Sequence, residues 1–167
     1  MSGRVFLLGD DIDTDQLAPG GYMSGGLDAL ARHCLEAVRP DFAPAVRPGD
    51  IVVAGGNFGM GSSREQAAQA LKHLGVVAVI ARSFAGIFYR NAINIGLPVI
   101  RAAEVSGVRD GERVALAADM ARLEFLDRDG LLPLEPMPDN ILRILGDGGI
   151  VPHLKKRFAA ALPVENA

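Results

Sequence analysis

The sequence predicts an α/β domain with a largely parallel central sheet and flanking helices. Two runs, "IVVAG" (residues 51–55) and "VVAVIA" (76–81), are short, continuous, apolar and β-branched, the pattern of strands covered on both faces. Helical spacing fills the stretches after each of them. A third short run, "LPVI" (97–100), completes a strand–helix–strand–helix–strand series with the spacing of right-handed βαβ units.

Each element has a local reason. "RVFLLG" (4–9) reads as a short strand, and "DDIDTDQLAPGGYMSGG" (10–26), rich in Asp, Gly and Pro, as a long loop of the functional kind. Leu27, Leu30, Cys34 and Val38 have helical spacing, and the three prolines of "RPDFAPAVRPGD" (39–50) stop that helix. After the glycine–serine turn "GGNFGMGSSR", a helix places Ala67, Ala70, Leu71 and Leu74 on one face and ends at Gly75. "SFAGIFYRNAINIG" (83–96) reads as a second helix ending at Gly96. Residues 112–119 and 122–130 read as paired strands, a second and smaller β layer. Residues 140–162 read as helical with a glycine break.

The chain's 167 residues suit one domain, 1–167, with an adequate core. A net charge of −3 gives no basic field for nucleic acid, and 2 Tyr, 7 Phe and no Trp give few base-stacking platforms. The apolar run at residues 5–8 is too short for a signal peptide or a membrane span, so the expected location is cytoplasmic. Cys34 is the single cysteine; it forms no internal disulfide and cannot alone hold an iron–sulfur cluster.

The glycine–serine turn carries the strongest chemical signal. Ser62 with Glu65, and Ser63 with Gln66, fit capping boxes. Capping does not explain Arg64, a cation at a helix N-terminus, where it opposes the helix dipole. An anion bound by free backbone N–H groups, carboxylate or phosphate, reconciles the two. Residues 56–62 read G-x-x-x-x-G-S and lack the P-loop lysine, residues 59–64 lack the third glycine of a dinucleotide fingerprint, and neither serine has the hydrolase-elbow frame. His33, His73 and His153 read as surface or packing residues. An EF-hand starting at Asp11 fails, with Gln16 in place of glycine and Tyr22 in place of glutamate. The cluster Asp10, Asp11, Asp13 and Asp15 therefore reads as an Asp-bonded turn, with Asp15 available to orient Arg64 or a serine. Asn91 and Asn94 share a helix face suited to holding the glycine–serine turn.

Three segments, "GDDIDTDQLAPGGYM" (9–23), "GNFGMGSSREQAAQAL" (56–71) and "ARSFAGIFYRNAINIGLPVI" (81–100), together resemble the small subunits of 3-isopropylmalate dehydratase in the aconitase superfamily. The resemblance spans roughly residues 4 to 105. It implies a swivelling β/β/α domain and a hydro-lyase active only with a large subunit, which holds a 4Fe–4S cluster through its own cysteines. It implies that Ser62 is the catalytic base, Arg64 grips a substrate carboxylate and Ser63 bonds substrate, with Asp15 and Gly61 at the same site. It also implies that "YMSG", with Tyr22, Met23 and Ser24, lines the pocket for the substrate's variable group. Relatives acting on a third carboxylate carry an arginine there. Here its absence favours a small apolar group such as isopropyl, in leucine biosynthesis, against which Met23 can pack. Citramalate and 2,3-dimethylmalate stay open as substrates, and so does a non-catalytic anion-binding module.

Overall fold

The computed structural model describes residues 1–161. Strands β1 (Ser2–Leu7), β2 (Ile51–Ala54), β3 (Ala78–Ala81) and β4 (Val99–Arg101) pair in parallel, in the order β4-β3-β2-β1. Strands β5 (Arg113–Leu116), β6 (Arg122–Phe125) and β7 (Leu131–Pro133) continue the same sheet antiparallel from β1. β1 is the seam. Val5, Phe6 and Leu7 align with β2 in parallel, while Ser2, Gly3 and Arg4 align antiparallel with β5.

Side-chain alternation splits the strands between two cores. Phe6, Val52, Ala54, Val79, Ala81 and Val99 face the helical layer. Val5, Ile51, Val53, Ala78, Ile80 and Ile100 pack instead with Val114, Leu116, Leu123 and Leu132 of the antiparallel strands. The curled sheet thus covers the parallel strands from the side the helices leave open, which gives the expected β/β/α layering. β2 and β3 are buried at every position, as continuous apolar runs require.

The helices are α1 (Thr14–Leu17), α2 (Gly26–Ala31), α3 (Phe42–Ala45), α4 (Glu65–His73), α5 (Gly86–Asn94), α6 (Asp139–Gly146) and α7 (Ile150–Ala161). Three sequence expectations change. The helix expected to carry Leu27, Leu30, Cys34 and Val38 ends at Ala31; residues 32–38 are turns, because Leu35 takes φ 62° and its N–H donates to the Gln16 carbonyl at 2.7 Å. Residues 10–26 are not an irregular loop. Asp13 caps α1 in a reciprocal box, its carboxylate accepting from the Gln16 N–H while the Gln16 side chain accepts from the Asp13 N–H. A 3-10 turn over Gly20–Gly25 follows. The helix expected from residue 83 begins at Gly86, because residues 83–85 are held extended against Phe58: the Phe58 N–H donates to the Ser83 carbonyl and the Ala85 N–H to the Phe58 carbonyl. The glycine break expected in 140–162 is the corner between α6 and α7. There a Cβ on Gly149 would lie 2.5 Å from the Asn94 carbonyl, so only glycine lets the corner pack on the end of α5. Residue 162 lies outside the described residues. No helix among the described residues is long and apolar enough to cross a membrane.

Candidate active site

The segments leaving the carboxyl ends of β1, β2 and β3 meet on one edge of the parallel sheet, where open α/β sheets bind ligands. Residues 11–14 and 56–60 are zipped side by side. The Asp11 N–H donates to the Gly56 carbonyl at 2.9 Å, the Gly59 N–H to Ile12 at 2.7 Å and the Thr14 N–H to Met60 at 2.8 Å. Asp10 locks the base of the turn. Its Oδ1 accepts from the Gly56 N–H and from Arg82, each at 2.6 Å, and these two donors hold its carboxyl below the ordinary carboxylate value. Asn57 sits at φ 59°, fixed by bonds to Asp11 and to the Ser83 hydroxyl.

Gly59 and Gly61 supply the left-handed conformations the turn needs, at φ 79° and 100°. Under Gly59 lies Phe88, packed with Phe58 at 5.2 Å between ring centroids. Under Gly61 lies Thr14: a Cβ there would stand 3.1 Å from the Thr14 hydroxyl oxygen. Thr14 is buried, and its hydroxyl has no hydrogen-bond partner among the described residues. An unpaired buried hydroxyl costs about 1–3 kcal/mol.

Gly61, Ser62 and Ser63 are exposed. Neither serine caps α4. The Arg64 N–H folds back onto the Ser62 carbonyl at 2.8 Å, and Arg64, in an extended conformation, becomes the N-cap without any side-chain cap. The capping boxes fail because α4 starts at Glu65, one residue later than a Ser63 cap requires and two later than a Ser62 cap requires. No backbone carbonyl among the described residues accepts from the N–H groups of Gly61, Ser62 or Ser63. The exposed turn therefore presents free donors beside two hydroxyls.

Arg64 is held from the other side of the zipper. Its guanidinium forms an ion pair with Asp15 and donates to the Ala18 carbonyl at 2.9 Å, and Gly20 lies against it. The structure thus joins Asp15 to Arg64, as the acidic cluster's sequence allowed. Tyr22, Met23 and Ser24 occupy the 3-10 turn just beyond Gly20, all exposed. The Tyr22 ring stacks on His33 at 3.5 Å, and His33 in turn meets Glu36 at 2.6 Å. No hydrogen bond links Tyr22, Met23 or Ser24 to the serines among the described residues. His73 pairs with Asp28 at the surface, and His153 with Asp147 in a half-buried pair; neither bonds the turn. Asn91 and Asn94 make no side-chain hydrogen bond to the turn; the Asp10, Asn57, Ser83 and Arg82 network does the holding expected of them. Sequence reading missed Thr14, Asn57 and Arg82. The D-T-D-Q capping box was a readable signal for Thr14; the other two owe their place to strand order alone.

Cys34 is buried, and burial pushes its thiol well above the usual range, which removes it as a thiolate ligand. No group of three or more His, Cys, Asp or Glu among the described residues is arranged to hold a metal.

Known proteins share this sequence and this shape. The Aconitase C-terminal domain family matches residues 37–104. The small subunit 1 of 3-isopropylmalate dehydratase from Thermotoga maritima is 47% identical over 92% of this chain and 94% of its own length. The methanogen homoaconitase small subunit of Methanothermobacter thermautotrophicus is 53% identical over 92% of this chain and 90% of its own. The crystal structure of 3-isopropylmalate dehydratase from Methanocaldococcus jannaschii superposes with a TM-score of 0.90 at 42% identity, covering 96% of both chains. Identity of this extent, carried by the same fold over 96% of both chains, means that the chain belongs to the 3-isopropylmalate dehydratase small-subunit family of the aconitase superfamily.

Proposed function

We propose that this chain is the small subunit of a cytoplasmic hydro-lyase that interconverts 2-isopropylmalate and 3-isopropylmalate in leucine biosynthesis, working with a large subunit. The observation that carries the proposal is the exposed, uncapped Ser62–Ser63 turn beside a guanidinium held in place by Asp15. Dehydration removes a proton from the carbon next to one carboxylate and hydroxide from its neighbour. Ser62 takes that proton as a base. A serine hydroxyl is a weak acid, so its alkoxide needs nearby donors; the free N–H groups of the turn and of the first turn of α4 are of the right kind. Arg64 binds a substrate carboxylate, with Asp15 fixing the guanidinium from behind, and Ser63 and Gly61 complete the carboxylate contacts. The residues of this chain do not fit an iron–sulfur cluster, so its thiolates are assigned to the large subunit. Such a cluster supplies a Lewis acid for the departing hydroxyl.

Substrate choice rests on Tyr22, Met23 and Ser24. A second reading follows from the Methanothermobacter relative's name, a homoaconitase-type substrate. The exposed turn at Gly20–Gly25 carries no cation, and Arg64 is already engaged, so a third carboxylate would be left without a partner there. An alkylmalate side chain fits the same segment without that cost. The test is turnover of the reconstituted pair on a panel of 2-hydroxy diacids, with and without Ser62→Ala. The variant is expected to lose about 10²–10⁴-fold in kcat, the usual contribution of a general base, while substrate still binds. Near-normal turnover would remove Ser62 from the base role. Preference for a tricarboxylic substrate would select the second reading.

A further inference from the structure

We propose that Thr14 is a positioning residue for the serine turn, its buried hydroxyl a donor kept for a second conformation of residues 61–63 in which the turn works. The inference rests on the functional reading above and extends it to a residue which that reading does not use. Every backbone group of Thr14 is matched: the N–H donates to Met60 at 2.8 Å, and the carbonyl accepts from Ala18 at 2.9 Å. The hydroxyl alone is unmatched, although Thr14 is 2% exposed. Of the residues around it in the chain, Ile12, Leu17 and Ala18 are buried and apolar, while the Asp13 carboxylate accepts from the Gln16 N–H and the Asp15 carboxylate pairs with Arg64.

The exposed backbone that lies against this hydroxyl is that of the serine turn, at Gly61. Burial closes the position to a second polypeptide. The serine turn, however, has a glycine on each side of Met60, both at positive φ, and glycine moves between positive and negative φ without steric penalty. A rotation at Gly61, beyond the Met60 carbonyl that Thr14 already holds, turns a peptide carbonyl of the Gly61–Ser62 segment onto the Thr14 oxygen and re-aims Ser62 in the same movement. A hydroxyl unpaired in one conformation and paired in another biases the turn toward the second. Zipped through its N–H to the Met60 carbonyl, Thr14 is the natural fixed point for that movement.

The test uses Thr14→Val, which keeps the branched shape and removes the hydroxyl, and Thr14→Ser, which restores it. Wild-type turnover in the reconstituted pair is measured first. Thr14→Val is expected to lower kcat on the order of 100-fold, the scale for a misplaced reacting group, with KM within about threefold. Thr14→Ser is expected to recover most of that loss. The isolated Thr14→Val chain is expected to melt no lower than wild type, because the hydroxyl it loses has no partner there. Unchanged kcat in Thr14→Val, failure of Thr14→Ser to recover it, or a lower melting temperature for the isolated valine variant each overturns the inference and leaves the functional reading standing. A wild-type pair inactive on every 2-hydroxy diacid removes that reading, and this inference with it.

Discussion

Replacing Gly59 by alanine tests whether the turn is held by geometry that only glycine satisfies. A Cβ at this position would lie 2.2 Å from the Phe88 Cγ and 2.4 Å from its Cβ. Phe88 cannot step aside, being 1% exposed and wedged against Phe58 and Phe84. The backbone at φ 79° adds a second penalty for any L side chain. Left-handed strain contributes about 1–2 kcal/mol and overpacking about 1–3, so the expected loss is about 2–5 kcal/mol. A domain of this size has about 5–15 kcal/mol in hand, so the variant folds but holds its turn displaced. A displacement of about 1 Å costs about 100-fold in rate. Urea unfolding of the isolated chain gives the first quantity and turnover of the reconstituted pair the second. The double variant Gly59→Ala/Phe88→Ala measures how much of the overpacking comes from the ring. Phe88→Ala alone should cost about 3–5 kcal/mol; it takes away the Cγ at 2.2 Å but keeps the Cβ at 2.4 Å, so only part of the overpacking is relieved and the pair should cost about 1 kcal/mol less than the sum of the singles. A Gly59→Ala variant within about 0.5 kcal/mol of wild type, or strict additivity in the cycle, would refute the argument.

Two further perturbations probe the charges. Asp15→Asn removes the ion pair with Arg64 at an exposed carboxylate, so stability should fall by less than about 1 kcal/mol. KM of the reconstituted pair should rise more than kcat falls, since the guanidinium that binds substrate is no longer oriented; equal losses in kcat and kcat/KM would contradict that role. Asp110, bonded to Arg39 at 2.6 and 2.9 Å and to the Leu7 N–H at 2.8 Å, is held below its ordinary value of 3.8 chiefly by the Arg39 bond. A depressed carboxylate stabilises the fold above its unfolded value and loses that contribution as pH falls through the folded one. The urea midpoint of Asp110→Asn should therefore lie below wild type from pH 7 down to about 4, and the gap should close in more acid solution. A gap independent of pH between 7 and 3 would count against the pair.

Much of the architecture was legible because burial on both faces leaves a plain signature. Residues 51–55 and 76–81 are apolar without alternation, and they became the two central strands. The seam at β1 was not legible: nothing in "RVFLLG" announces that one half of a six-residue strand pairs parallel and the other antiparallel. At the site, the serines, Arg64 and Asp15 stood out as residue types out of place in their surroundings. The start of α4 did not, because two capping boxes competed with an arginine backbone that took the cap instead. Asn91 and Asn94 misled for the opposite reason. Their shared face was read correctly, but the turn lies against Phe88 rather than against that face. The contacts that do hold the turn join residues 26 to 72 positions apart, beyond the reach of any local pattern.

Those long-range contacts also impose an order on biosynthesis. The acidic segment that braces the serine turn leaves the ribosome first, and the turn follows some 46 residues later. At about 5–20 residues per second, the brace waits seconds for the part it steadies. A nascent chain halted before residue 64 has the anvil without the hammer, and the bonds that lock the base of the turn wait longer still, for Arg82 and Ser83.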